Sequence, residues 1–164
     1  MRSQAIIELC RKWNQAEVHY LIVGGLAVVA HGYLRATHDI DLVLDFAPEP
    51  MLRAMNVLEQ MGFTPRLPVS MKSFADPVIR DQWIREKDIT VFTVWRDALP
   101  IPDEVDIFVS HPFDFTEAWQ NAHRQSAPDG TVFTFVDRQR LIAMKRTAGR
   151  PKDLLDISEL ERLP

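Results

Sequence analysis

The stretch "RATHDIDLVLDF", Arg35 to Phe46, decides the fold, because it places two acids inside a segment that has the pattern of a buried strand. Its apolar residues are those that a strand in a protein core needs: Ile40, Leu42, Val43, Leu44 and Phe46. Asp39 and Asp41 are separated by one residue, so their side chains point off the same face of a strand. We therefore predict a strand over residues 38–46 with core residues on one face and both acids on the other.

Periodicity on both sides of this strand predicts further elements. Helical spacing and capping residues predict helices over residues 3–15, 26–34, 50–63, 76–85, 116–127, 137–149 and 151–162. Alternation and β-branched content predict strands over residues 19–23, 88–95, 104–110 and 130–136. The segment 76–85 could instead form a turn and a strand. The loop between strands 88–95 and 104–110 contains proline, which suggests that these strands are antiparallel neighbours.

The composition is that of one compact domain, since 46% of the 164 residues are hydrophobic and 26% are charged. The element pattern predicts an α+β fold with helices over a mixed sheet, in a single domain of residues 1–164 that has a core at 16–136 and C-terminal helices at 137–162. A net charge of −4 gives no global basic field. Binding to long duplex DNA is therefore disfavoured, and a nucleic-acid partner would need a local patch.

Cysteine usage and the N-terminus indicate a cytoplasmic location. Cys10 is the single cysteine, which excludes an internal disulfide framework and agrees with a reducing compartment. The N-terminal segment lacks the uninterrupted apolar run of a secretory signal, and no stretch approaches the length of a membrane span. We expect a cytoplasmic protein with no membrane partner.

Gly24 and Gly25 fall between the strand 19–23 and the helix that follows it. Such a turn needs positive φ and close backbone approach, and free N–H groups there meet the positive end of a helix dipole. The pair is therefore a candidate phosphate seat. Two glycines after a strand are more often only a tight turn, so the pair depends on its neighbours for a functional interpretation.

Asp39 and Asp41 are candidate metal ligands. Two carboxylates this close repel each other, and one would hold a proton unless a cation intervenes. Mg²⁺ removes the conflict, because it prefers hard oxygen ligands and is usually held by one or two carboxylates with substrate phosphates and water. Arg35 and Thr37 share the parity of the two acids if the strand begins that early. The alternative is a strand whose polar face is simply solvated.

Asp106 favours the metal interpretation, because it is a further acid inside an apolar strand, "EVDIFV". If that strand neighbours the strand of Asp39 and Asp41, three carboxylates converge. Three acids could hold one or two metal ions that support in-line displacement at phosphorus. The pattern predicts phosphoryl or nucleotidyl transfer.

The C-terminal segment supplies a cation at an apolar position. Lys145 shares a helical stripe with Leu141, so its charge is predicted to face the core and to need an anion. Asp153 and Asp156 share a face of the last helix with core residues. Lys145 or Arg150 could pair with these acids structurally, or Asp156 could act near an acceptor hydroxyl; a lysine that snorkels from the stripe is the simplest alternative.

Three segments together resemble the small prokaryotic nucleotidyltransferases of the DNA polymerase beta-like superfamily, and the nearest branch is the one that contains AbiEii-type toxins. The segments are "VGGLAVVAHGYLRATHDIDLVL", "VDIFV" and "LIAMKRTAGRPKDLLDISEL". The resemblance implies a nucleotidyltransferase fold with a short C-terminal helical segment. It also implies that Gly24 and Gly25 contact nucleotide phosphates, that Asp39 and Asp41 bind metal, and that Asp106 is the third carboxylate ligand and base or base-positioning residue.

The resemblance extends to the cations. Lys145 would meet the triphosphate, and Arg35 and Thr37 would also belong to the nucleotide site. The branch uses further positions that match Arg150, Asp153 and Asp156. These three residues are candidates for either catalytic or structural roles.

The leading hypothesis from the sequence is a Mg²⁺-dependent enzyme that moves a nucleoside monophosphate from an NTP, such as ATP, to a hydroxyl or phosphate of an acceptor and releases pyrophosphate. The acceptor could be RNA, a protein or a small molecule. A toxin role, with an antitoxin partner, and a homodimer are compatible with the resemblance. The alternative is a non-catalytic module that keeps the fold and binds nucleotide or docks to a partner.

Overall fold

A computed structural model describes residues 3–37 and 39–163 of the chain. Its helices are α1 (Ser3–Gln15), α2 (Gly24–Ala30), α3 (Pro48–Gln60), α4 (Pro77–Lys87), α5 (Phe115–Gln120), α6 (Arg138–Ala148) and α7 (Pro151–Arg162). Its strands are β1 (Tyr20–Val23), β2 (Ile40–Leu44), β3 (Thr64–Pro65), β4 (Val91–Arg96), β5 (Asp103–Phe108), β6 (His123–Ser126) and β7 (Val132–Phe135). A 3₁₀ turn, Met71–Ala75, precedes α4. The fold is α+β, as predicted.

In the described part of the chain, seven strands form one mixed sheet in the order β3, β4, β5, β2, β1, β7, β6. The strand β2 lies at its centre, antiparallel to β1 and parallel to β5. The strands β4 and β5 are antiparallel neighbours, as the proline-containing loop between them suggested. Four of the five residues of β2 are buried and Asp41 is the half-buried one, because the strand runs through the core and opens to solvent at this acid.

Helices α1 and α3 pack against each other, and the indole of Trp13 donates a hydrogen bond of 3.2 Å to the carbonyl of Ala54. Phe92 of β4 stacks on Phe74 of the 3₁₀ turn, with ring centroids 4.7 Å apart, and on Trp83 of α4. Since side chains alternate along a strand, the neighbours of Phe92 on β4 point to the opposite face of the sheet. That opposite face carries the candidate site.

Several predicted boundaries are confirmed. The helices over 3–15 and 151–162 have the predicted ends. Asp76 accepts the N-cap hydrogen bond of α4, so the segment 76–85 is helical and the turn-and-strand alternative is wrong. Asp137 caps α6, and Gly149 ends it in the left-handed conformation.

Three predicted elements need correction. The helix over 116–127 ends at Gln120, and residues 123–126 form β6 instead, because β7 offers them an antiparallel edge to pair with. The helix over 26–34 begins at Gly24, so Gly24 and Gly25 are its first residues rather than a separate turn. It ends at Ala30, and Gly32, with a φ of +111°, turns the chain away. The strand over 38–46 begins at Ile40 and ends at Leu44; its first predicted residue, His38, lies outside the described residues. Arg35 and Thr37 therefore lie in a loop rather than on the strand.

In residues 3–37 and 39–163 the structure contains no helix with the length and apolar character needed to cross a bilayer.

Candidate active site

Asp41 and Asp106 lie side by side on neighbouring parallel strands. The register pairs Ile40 with Val105 and Asp41 with Asp106, so the two acids are Cα partners across β2 and β5. Parallel strands in register point paired side chains to the same face. Asp39 precedes β2 by one residue and is exposed. The strand pairing thus brings together two of the three predicted metal ligands and leaves Asp39 at the entrance to the strand.

The two paired acids are held in an environment that disfavours their charges. Burial is the first cause that raises the pKa of Asp41, and the charges of Asp106 and Asp39 raise it further. Burial also raises the pKa of Asp106; a hydrogen bond from Thr93 lowers it, and the charges of Glu104 and Asp39 raise it. Like charges in a partly buried site favour protonation or a bound cation. The site is therefore built to gain from a divalent metal ion.

Gly24 makes room for the side chain of Asp41. Its φ is +63°, and a Cβ built on it would collide with Asp41 Oδ2 and lie 2.6 Å from Asp41 Cγ. The backbone N–H of Gly25 forms a hydrogen bond that lowers the pKa of Asp41. The glycine pair and the acid therefore form one packed unit, which shows why the first residue of α2 must be a glycine.

Gly25 makes room for the loop that precedes β2. A Cβ on Gly25 would lie 2.5 Å from Thr37 Oγ1 and 2.8 Å from Arg35 Nη2. The guanidinium of Arg35 in turn reaches Asp156 of α7, with Nε 2.9 Å from Oδ1 and Nη2 donating to Oδ2 at 3.2 Å. The structure therefore joins Arg35, Thr37 and the glycine turn at one place, although the two polar residues are not on the strand.

Lys145 is buried between two acids of α7. Its ammonium donates hydrogen bonds to Asp156 at 2.6 Å and to Asp153 at 3.2 Å. Arg150 donates to Asp153 at 2.6 Å while most of its own side chain stays exposed. Burial raises the pKa of Asp153, but the bonds from Arg150 and Lys145 outweigh it, and the net effect lowers that pKa. The predicted structural pairing of these residues is what the structure shows.

A cavity of about 530 Å³ opens beside Asp41. Its apolar wall comes from β5, the loop after it and α6: Phe108, Pro112, Phe113, Leu141 and Met144. Gly24, Asp41, Lys145, Arg150 and Asp153 also line it. A volume of this size falls in the range of about 300 to 1,000 Å³ that suits small-molecule and cofactor sites. The cleft thus connects Asp41 and Gly24 with the C-terminal cations Lys145 and Arg150.

The donor set fits Mg²⁺ held by two carboxylates. Within residues 3–37 and 39–163, no group of three or more His, Cys, Asp or Glu side chains stands ready to hold a metal ion. Mg²⁺ in nucleotide-dependent enzymes is commonly held by one or two carboxylates, with phosphates and water completing the octahedron. Asp41 and Asp106 supply hard oxygen donors from two neighbouring strands, and a bound cation would offset the burial and like-charge repulsion that raise the pKa of each carboxyl.

Sequence reasoning missed Thr93. Its hydroxyl donates a hydrogen bond of 2.6 Å to Asp106 Oδ1, and the register pairs the two residues across β4 and β5. A polar residue between Phe92 and Val94, both fully buried, was the available signal, since it marks the open face of the strand. Only the pairing of β4 with β5 assigns that face to Asp106.

Comparison with solved structures identifies the fold of the chain. No family model matches the chain, and no curated protein matches it. Several solved structures do match the chain. The lincosamide antibiotic adenylyltransferase LnuA, in its lincomycin-bound structure, superposes with a TM-score of 0.60 at 15% identity over 100% of this chain and 99% of that one. The chain has the nucleotidyltransferase fold.

Two further structures agree. An antigenic nucleotidyltransferase-like protein from Paracoccidioides brasiliensis gives a TM-score of 0.58 at 16% identity, over 96% of this chain and 73% of that one. The antibiotic-resistance factor ANT(2'')-Ia gives 0.55 at 15% identity, over 97% and 84%. These likenesses confirm the predicted fold. The assignment to the AbiEii-type branch is not confirmed and stays a prediction.

Proposed function

We propose that the protein is a Mg²⁺-dependent nucleotidyltransferase that transfers a nucleoside monophosphate from an NTP to an acceptor and releases pyrophosphate. The observation that carries the proposal is the pairing of Asp41 with Asp106 across adjacent parallel strands, with Asp41 packed against Gly24 and lining a cleft. In this proposal residues 1–164 act as one domain.

The acids would hold the metal and handle the acceptor proton. Asp41 and Asp106 would bind one or two Mg²⁺ ions from the sheet, with Asp39 joining from the loop before β2. A bound Mg²⁺ would neutralise phosphate charge and polarise the phosphorus centre. Asp106, the less buried of the paired acids, would accept or orient the proton of the attacking hydroxyl.

The nucleotide would lie between the glycine turn and the C-terminal helices. Gly24 and Gly25 would approach the phosphates through their backbone, while Arg35 and Thr37 stand behind Gly25. Arg150, exposed at the cleft, is the cation best placed to meet phosphate. Lys145 lines the same cleft and would meet the triphosphate by sharing its ammonium with Asp153 and Asp156.

The acceptor remains one of three classes: RNA, a protein side chain or a small molecule. The names of two structural neighbours, a lincosamide antibiotic adenylyltransferase and an antibiotic-resistance factor, make a small hydroxyl compound the first to test. A toxin role with an antitoxin partner and a homodimer are further parts of the proposal that follow from the resemblance of the sequence. A cytoplasmic location, which the single cysteine favours, is also proposed.

The test is transfer from α-labelled NTPs to components of a cell extract, fractionated into RNA, protein and small molecules. Wild type should label one fraction and release pyrophosphate only with Mg²⁺. Asp41→Asn and Asp106→Asn should each lower the rate by at least about 100-fold, as loss of an essential charged group does. Asp81→Asn, the same change at an exposed position of α4, should leave it unchanged. Equal rates in Asp41→Asn and wild type would exclude the proposal.

A non-catalytic nucleotide-binding or partner-docking module is the second candidate. The observation that favours it is the buried network in which Asp153 and Asp156 already neutralise Lys145. In that case NTP would bind, but no pyrophosphate would be released. Equilibrium binding and pyrophosphate release, measured on the same preparation, separate the two functions.

A further inference from the structure

Thr93 holds one oxygen of Asp106 by a short hydrogen bond. The donor and acceptor atoms, Thr93 Oγ1 and Asp106 Oδ1, are 2.6 Å apart. A hydroxyl-to-carboxylate bond of this length is charge-assisted and among the stronger side-chain hydrogen bonds. The side chain of Asp106 is therefore fixed in rotation before any ligand binds.

The strand that carries Thr93 is rigidly placed. Six residue pairs join β4 to β5, with Thr93 opposite Asp106, and Phe92 and Val94 on either side of Thr93 are fully buried. Because its neighbours are fixed in the core, Thr93 has little freedom to move away from Asp106. Asp41 is the Cα partner of Asp106 on its other side. Asp106 thus stands between an orienting hydroxyl and a second acid.

We propose that Thr93 is a positioning residue of the candidate active site, which orients Asp106 so that its second carboxylate oxygen is directed to the metal and the acceptor hydroxyl. The inference rests on the proposed function. Partners of this kind fix the orientation of a metal-binding side chain, and their loss typically costs about 10- to 100-fold in metal affinity or activity. A purely structural threonine would change stability without changing metal affinity.

The test compares variants that differ by the hydroxyl alone. Thr93→Val keeps the shape and removes the donor, while Thr93→Ser keeps the donor. Thr93→Ala and Thr93→Ser both lack the methyl group, so their difference isolates the hydroxyl even if Thr93→Val folds poorly. Thr64→Val is the matched control, an exposed threonine on β3 whose partner is the carbonyl of Trp95. The primary measurement is Mn²⁺ affinity without nucleotide, followed by electron paramagnetic resonance of the free ion.

We expect Thr93→Val and Thr93→Ala to bind Mn²⁺ about 10-fold or more weakly than wild type, and Thr93→Ser and Thr64→Val to stay within about threefold. In turnover, kcat should fall in the first two variants while the KM for NTP changes little. Wild-type affinity in Thr93→Val, together with loss of Mn²⁺ in Asp106→Asn, would overturn the inference and leave the proposed function intact. Equal Mn²⁺ affinity in wild type and in Asp106→Asn would overturn both the inference and the proposed function.

Discussion

Gly24 and Asp41 occupy complementary space: the carboxylate of Asp41 lies where a side chain at Gly24 would begin. A Cβ at Gly24 would be 2.6 Å from Asp41 Cγ and 2.9 Å from its Cβ. The glycine that begins α2 and the acid on β2 therefore fit each other in shape. A phosphate seat is one proposed use of the glycine turn, and space for the acid is a use that the structure shows directly.

Gly24→Ala should disable the site. The new methyl group would have to displace Asp41, and alanine at a φ of +63° adds backbone strain. We expect a loss of roughly 2 to 4 kcal/mol in the free energy of unfolding, as strain and overpacking add. Metal affinity should fall by at least about 10-fold because a ligand is displaced. Thermal unfolding and Mn²⁺ titration measure the two effects.

Gly130→Ala is the matched control for that variant. Gly130 has a φ of +82°, and a Cβ there meets nothing within 4 Å. Gly130→Ala should therefore lower the free energy of unfolding only by the backbone strain, of order 1 kcal/mol, and should leave metal binding unchanged. Equal loss of stability and equal metal affinity in the two alanine variants would mean that glycine is needed at position 24 only for its positive φ.

Asp41→Asn should stabilise the metal-free protein at neutral pH. Burial and the neighbouring charges of Asp106 and Asp39 raise the pKa of Asp41 in the folded state. The folded state then holds a proton more tightly than the unfolded state, so stability falls as pH rises from the unfolded pKa through the folded one and stays low above it. Asp41→Asn has no ionisable group at this position, so its stability does not fall in this way as pH rises.

The expected result for Asp41→Asn is a higher Tm at pH 7 in EDTA, by about 2 to 4 °C for each kcal/mol relieved. The difference should vanish as pH approaches 3, where both states of the wild type are protonated. Addition of Mg²⁺ should raise the Tm of the wild type and not that of the variant, because only the wild type gains binding energy. A variant less stable than wild type at pH 7 would contradict this account.

Lys145→Met should be strongly destabilising. The change would leave Asp153 and Asp156, both almost fully buried, without the ammonium that bridges them. Breaking a buried ion pair by removing one partner costs about 3 to 5 kcal/mol. Denaturant unfolding measures the loss. Lys152→Met, an exposed lysine of α7, should change stability little.

The same lysine variant tests the nucleotide prediction. At a temperature where Lys145→Met is folded, NTP affinity should fall about 10-fold or more if the ammonium also meets the triphosphate, as a charge-assisted bond is lost. Affinity equal to that of wild type would restrict Lys145 to the buried network.

Ala148→Trp should block the cleft. Ala148 is exposed on α6 and lines the cavity beside Asp41, so an indole there would fill part of the 530 Å³ without entering the core. We expect kcat/KM to fall by at least about 10-fold with an unchanged Tm, since surface substitutions cost little stability. Gln139→Trp, on the same helix but outside the cleft, is the control. Full activity in Ala148→Trp would place the substrates elsewhere.

The sequence by itself determined the elements whose causes are local. Helical periodicity and caps predicted the ends of α1, α6 and α7, and the alternation around Asp41 predicted that this acid faces away from the core on a buried strand. The segment 123–126 shows the limit of this reasoning. Its residues have a helical pattern, yet pairing with β7 makes them a strand, because hydrogen bonds to an open sheet edge outweigh a weak local preference.

Only the tertiary structure decided which distant residues meet. The parallel pairing of β2 with β5 sets Asp41 against Asp106, and the pairing of β4 with β5 sets Thr93 against Asp106. A shift of one residue in either register would turn these side chains to the other face of the sheet. The partners of Lys145 were likewise fixed by the packing of α6 on α7. Strand register and helix packing depend on contacts far apart in the chain, which local periodicity does not encode.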